Sequence, residues 1–339
     1  MKVIITGGAG FVGSNAARHY LRRGDEVVLL DDLSRAGADQ NLEWLKTQGQ
    51  ITFVRVDVRN AQLIGDVFRA HRDTGLILHL AGQVAVTTSV VNPRADFEGN
   101  ALGTLNVLEG VRQAGIRAPL IYSSTNKVYG EMKEVKVTEE ERRYAYSDLP
   151  CGISEEQNLD FHSPYGCSKG AADQYVRDYH RIYGLRTVVF RQSWIYGSRQ
   201  FGVEDQGWVA WFTIAARLNR PITVYGNGKQ VRDILFIDDL LDAFDAACRS
   251  GSRAAGRVYN IGGGSENAVS VLDVLHYIEG RLGRPLRWQH GEWRPGDQRV
   301  YVSDIRRAGE ELDWTPRVPW TSGLDRLFDW VSSNAGLFV

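Results

Sequence analysis

Tyr165 and Lys169 stand at positions i and i+4, directly after Pro164. On a helix that spacing puts both side chains on one face. A free phenol has a pKa of about 10, too high for a base at neutral pH. An ammonium group held beside it favours the phenolate and draws that value down. Such a pair could take a proton from an alcohol. The hydroxyl-rich run Ser123-Ser124-Thr125 offers a third member, because a hydroxyl can bridge an alcohol and the phenol during proton transfer. Alone, a Tyr-Lys pair at this spacing arises by chance on many helices.

The N-terminus sharpens the reading. In Thr6-Gly7-Gly8-Ala9-Gly10-Phe11-Val12-Gly13, an apolar strand runs straight into a glycine turn and a helix. Gly7 allows the tight turn, Gly10 lets backbone approach a pyrophosphate, and Gly13 permits close helix–strand packing. Phosphates would then meet free amides, including those of Phe11 and Val12, at the positive end of the helix. Asp31 closes the second strand, placed to accept hydrogen bonds from ribose hydroxyls, which favours NAD over NADP. Asp32, Ser34 and Arg35 follow it, and an arginine there could instead receive a 2′-phosphate. Asp57-Val58 could reach the adenine edge, and Leu80-Ala81-Gly82 could line the cofactor groove. With this motif present, Lys169 gains a second task, a hydrogen bond to the nicotinamide ribose. The positive nicotinamide ring would also favour the phenolate.

The elements that must position these groups alternate. Strands are expected over 3–6, 26–30, 51–56, 76–80, 119–123 and 186–190, with helices over 14–23, 61–71, 100–114 and 164–183. That rhythm argues for an α/β fold, a Rossmann-type doubly wound parallel sheet with helices on both faces. A polar stretch, 131–159, reads as a surface excursion near the site. Residues 1–190 form the expected NAD-binding domain. Residues 191–339 form mainly a smaller C-terminal substrate-binding lobe, with 232–250 returning to the large domain.

Bulk composition excludes several partners. The 339 residues carry 40 Lys+Arg against 41 Asp+Glu, which gives no reason to expect a nucleic acid or an anionic membrane. No apolar run approaches the roughly 20 residues that span a bilayer. Three scattered cysteines suggest neither a disulfide framework nor a zinc site, so a soluble, cytoplasmic protein is expected. The histidines show no metal-binding spacing, and no metal is expected. Cys167 lies between Tyr165 and Lys169, but its i+2 position turns it off their face. Trp208 and Trp211 could cover a ligand or fill the small lobe.

TGGAGFVG, SSTNKVYG and YGCSK, in this order, resemble the extended short-chain dehydrogenase/reductase family of nucleotide-sugar epimerases and dehydratases. The resemblance covers nearly the whole chain. It implies bound NAD, a nucleotide-sugar substrate and a homodimer built on the 164–183 and 100–114 helices. Carried over by motif, Thr125, Tyr165 and Lys169 take the catalytic places, and Arg232 takes the one that contacts the substrate pyrophosphate. Arg294, in Arg294-Pro295-Gly296-Asp297, is a second candidate for that end. Members that dehydrate the sugar resemble Thr-Asp-Glu where this chain has Thr125-Asn126-Lys127, so 4,6-dehydration is disfavoured.

Rarer stretches, among them Asp205-Gln206-Gly207-Trp208 and Gly226-Asn227-Gly228-Lys229-Gln230-Val231-Arg232-Asp233, resemble the CDP-tyvelose (CDP-paratose) 2-epimerase branch. That branch implies a CDP-sugar and inversion at C2 through transient oxidation by NAD and a 2-keto intermediate. Ser124, Asn126, Gln192 and Gln206 join Thr125, Arg232 and Arg294 as expected substrate contacts. Gln192 replaces the branch's histidine, which leaves the preferred sugar open. A 4-epimerase or reductase of the same family is the alternative.

Overall fold

Lys2–Thr6 (β1), Glu26–Asp31 (β2), Ile51–Arg55 (β3), Leu76–His79 (β4), Leu120–Thr125 (β5), Thr187–Gln192 (β6) and Val258–Ile261 (β7) are short runs rich in branched apolar residues. All but β3 are buried almost throughout, as strands covered on both faces must be. In the computed structural model, which describes residues 1–294 and 297–338, they form one sheet in the order β7-β6-β5-β4-β1-β2-β3. Every pairing in it is parallel. The exposed positions of β3 fit its place at the edge.

Helices cover both faces. Phe11–Arg22 (α1), Ala38–Lys46 and Ile237–Ser250 pack on one side, around Ile5, Leu29, Leu42 and Phe244. Ala61–Ala70, Gly103–Ala114 (α2) and Ser163–Tyr183 (α3) pack on the other, around Ile4, Phe68, Leu108 and Val176. Each such side chain contributes about 1.5–3 kcal/mol by leaving water. The chain adds β2 and β3 on one side of β1, then crosses to add β4 and β5 on the other. At that switch point the strand ends splay their loops apart and leave a crevice.

The chain beyond β6 does two things. Val231–Phe236 pairs with Trp194–Tyr196, Ala268–Ser270 and Val300–Tyr301, and this second sheet carries Arg232. Ile237–Ser250 returns to α1, where Asp245 accepts from Tyr20 (3.1 Å) and Arg23 (2.7 Å). The return goes further than its expected end at 250, because Val258–Ile261 becomes the seventh strand of the main sheet. The expected 131–159 excursion is partly core: Tyr144 and Ile153 are buried in it. No helix among the described residues is long and apolar enough to cross a membrane.

The first helix begins at Phe11, three residues before its apolar spacing starts, and the expected 100–114 helix begins at Gly103 after a wider turn over Glu98–Leu102. β5 and β6 run to Thr125 and Gln192, so both residues are part of the ladder and level with each other.

Candidate active site

All the residues named above as cofactor or substrate contacts border one cleft of about 1110 Å³ at the carboxyl ends of the strands. It runs from the Gly7–Gly13 turn past Tyr165 and Lys169 to Arg232 and Arg294.

The glycine turn is shaped for a phosphate group. Gly7 has φ +68°, and a Cβ on it would meet the Ala81 amide nitrogen at 2.8 Å. A Cβ on Gly13 would stand 2.1 Å from the Gly7 carbonyl oxygen. Gly10 caps α1 without a side-chain bond, leaving the first-turn amides to a ligand. Asp31, 8% exposed, accepts from the Ala9 amide (2.9 Å) and the Leu33 amide (2.8 Å), one on each oxygen. Each oxygen keeps a lone pair for a ribose hydroxyl. Burial raises its pKa, and those amides oppose the rise. Asp32 accepts from the Ser34 amide and hydroxyl. Arg35 crosses the cleft to donate to Gln206. Asp57 is held by Arg59 (2.8 Å). These features fit a dinucleotide. Gly13→Ala should abolish NAD binding without unfolding the core, since the clash is confined to the turn; fluorescence titration with NAD and a thermal melt would check both halves.

The catalytic face is enclosed. Thr125 ends β5, with its hydroxyl accepting from the Lys127 amide (3.2 Å). Tyr165 is 7% exposed and Lys169 4% exposed, both on α3. Lys169 donates to the Ser123 carbonyl and lies 4.4 Å from the centre of the Tyr122 ring. The expected lowering of the phenol by this ammonium is reversed in the chain by itself. Burial pushes Tyr165 up to about 12 despite its hydrogen bond with Thr125. Burial also pushes Lys169 down to about 7, against the pull of Asp173 and Asp96. For each group desolvation outweighs the partners that oppose it, Thr125 for the phenol and the two aspartates for the ammonium, because both heads are removed from water.

Alternation along β5 sorts its hydroxyls. Ser123 and Thr125 share one face, and Ser123 donates to Gln192 Oε1 (3.0 Å). Ser124 borders the cleft, but its hydroxyl is committed to Asp173 (2.8 Å). Asp173 in turn takes Arg191 on both oxygens at 3.0 and 3.1 Å, a pair with side chains 2% and 0% exposed. The amide nitrogens of Asn126 and Gln192 are buried without a partner among the described residues. Buried donors left unmet are costly in a protein interior, and a substrate oxygen would satisfy them.

At the far end, Arg232 donates to Asp297 (2.7 Å), and Arg294 donates to Asp205 (2.8 Å). Pro295 and Gly296 of that motif lie outside the described residues. Trp208 and Trp211 are both partly buried against the core, and of the two Trp208 borders the cleft. Cys167 is exposed, with its thiol toward the Phe161 carbonyl (3.5 Å). No group of residues among those described could hold a metal ion. Sequence reading missed Lys127, Trp194 and Tyr225 as cleft residues; SSTNKVYG contains Lys127, but only the fold brings it to Arg232.

A family model described as GDP-mannose 4,6 dehydratase matches residues 4–327. The chain belongs to the extended short-chain dehydrogenase/reductase family of nucleotide-sugar epimerases and dehydratases. Within this family it is similar to the CDP-paratose 2-epimerase of Salmonella typhi, with 47% identity over 98% of this chain and 100% of the relative. Its fold matches the UDP-glucose 4-epimerase of Thermus thermophilus in complex with NAD, at a TM-score of 0.82 and 30% identity, covering 98% of this chain and 100% of that one. It also matches a double mutant of the dTDP-glucose 4,6-dehydratase of Streptomyces venezuelae with NAD bound, at 0.85 and 28%, covering 99% and 98%. Epimerases and dehydratases of this family therefore share one scaffold, so the fold alone does not choose between their reactions.

Proposed function

We propose that this chain is a nucleotide-sugar epimerase of the CDP-paratose (CDP-tyvelose) 2-epimerase type, with NAD as its resident cofactor. One observation carries the reading: the proton-transfer set Thr125, Tyr165 and Lys169 is complete, while the next two positions are Asn126 and Lys127. The site can remove and restore a proton at an alcohol but has no carboxylate pair there to expel water. The 47% identity to a CDP-paratose 2-epimerase supports the choice of C2.

The Gly7–Gly13 turn holds the cofactor pyrophosphate, Asp31 its adenosine ribose, and Lys169 its nicotinamide ribose. When bound, NAD⁺ supplies a hydride acceptor that later returns the hydride, and a positive charge beside the phenol. Tyr165, as the phenolate, takes the proton from the C2 hydroxyl, with the Thr125 hydroxyl bridging the two oxygens. Asn126 and Gln192 donate their free amide N–H groups to sugar oxygens. Arg232 and Arg294, on the part of the chain beyond residue 190, grip the nucleotide while the 2-keto sugar turns. Tyr165 then returns the proton to the other epimer.

Product NMR after incubation with CDP-paratose, CDP-glucose and UDP-galactose tests this reading. Inversion at C2 of CDP-paratose is expected; inversion only at C4 would remove it.

Two exposed apolar sets accompany the site. Tyr175, Ile182 and Tyr183 on α3, with Phe97 and Leu102 before α2, suit a homodimer interface along these helices. Sedimentation equilibrium should give twice the chain mass. The three free cysteines suit a reducing compartment, so we place the enzyme in the cytoplasm, to be checked by cell fractionation.

A further inference from the structure

Lys127 is a cation of the cleft, beside Arg232, that the mechanism above leaves without a task. It stands two residues beyond Thr125, on the short turn Asn126–Tyr129 that follows β5. Its ammonium has three donors. The protein offers it the Gln298 amide oxygen at 3.5 Å, the limit of a hydrogen bond, and the Trp194 ring at 5.7 Å. The Arg232 guanidinium lies over the same indole at 4.8 Å. Asp297 is the carboxylate whose charge acts on Lys127, and Arg232 already occupies it at 2.7 Å. Two positive charges thus share one negative charge. Burial brings the Lys127 ammonium down to about 8, with Asp297 opposing and Arg232 adding to the fall. An anion entering here would relieve that cost.

The geometry points to Lys127 as a substrate-binding residue that clamps the sugar-proximal phosphate of the nucleotide diphosphate. This inference rests on the nucleotide-sugar reading above. C2 of the sugar adjoins C1, the carbon that carries this phosphate, whereas C4 lies across the ring. A phosphate clamp two residues from the catalytic hydroxyl therefore suits oxidation at C2. Lys127 also bonds its own backbone amide to Thr125 Oγ1 (3.2 Å), so the turn that aims the clamp also aims the catalytic hydroxyl.

The test is calorimetric titration of the NAD-loaded enzyme with CDP and with CMP, which lacks the second phosphate. In Lys127→Met the preference for CDP over CMP should fall by about tenfold or more, as expected for loss of a charge-assisted phosphate contact, while CMP affinity holds. Lys127→Arg, which keeps the charge, should retain most of the preference and serves as the folding control. An unchanged CDP/CMP ratio in Lys127→Met would overturn the inference, and so would an equal loss for both ligands. Neither result depends on which carbon is inverted. An enzyme that shows the ratio effect but inverts C4 would refute the C2 reading and leave the phosphate contact standing.

Discussion

Tyr165→Phe is expected to lower kcat by roughly 10²–10⁴-fold, the contribution of a positioned proton-transfer group, and to leave NAD affinity unchanged. The ring is 7% exposed and phenylalanine fills the same space, so the substitution removes one hydroxyl and little packing. In the wild type the rate should rise with pH as the phenol yields its proton, and that limb should be missing from the variant. The unassisted phenol is pushed up to about 12 by burial, so this alkaline limb also reports how far bound NAD⁺ brings it down. Steady-state rates across pH, paired with NAD titration, separate the roles. Retained turnover would take Tyr165 out of the mechanism.

Asp173→Ala should cost roughly 3–5 kcal/mol of folding stability, the usual result of stranding one partner of a buried ion pair. Arg191, 2% exposed, would lose both carboxylate contacts, and Ser124 would lose its acceptor. Tyr129 also receives Arg191 (3.1 Å) and bonds Asn260 (2.7 Å), so the damage should spread from α3 through β6 to β7. Replacing the whole pair, as Asp173→Leu with Arg191→Met, should recover much of the loss because no charge is then left buried alone. Urea denaturation of the three proteins would check this. A single variant as stable as the wild type would show that the pair contributes nothing.

The parts of the site legible in the sequence are those set by local geometry. A glycine whose Cβ would stand 2.1 Å from a carbonyl is required by the turn itself, so Gly13 announces itself. Tyr165 and Lys169 are likewise fixed by the pitch of one helix. What depended on distant contacts was harder to read. Ser124 looks like another catalytic hydroxyl, but strand alternation turns it to Asp173, 49 residues away in the chain. Lys127 meets Arg232 and Asp297 only because two sheets converge on one cleft. Val258–Ile261 could not be assigned to the main sheet without knowing that β6 was still unpaired on one side. The direction of the Tyr165 and Lys169 shifts followed burial, which spacing does not reveal.

Transient oxidation at C2 has one isotopic signature. CDP-paratose carrying deuterium at C2 should be converted, in ordinary water, to the C2 epimer with the deuterium still at C2, because the removed hydride is the one returned. Loss of that label to solvent, or its retention beside inversion at C4, would contradict the account.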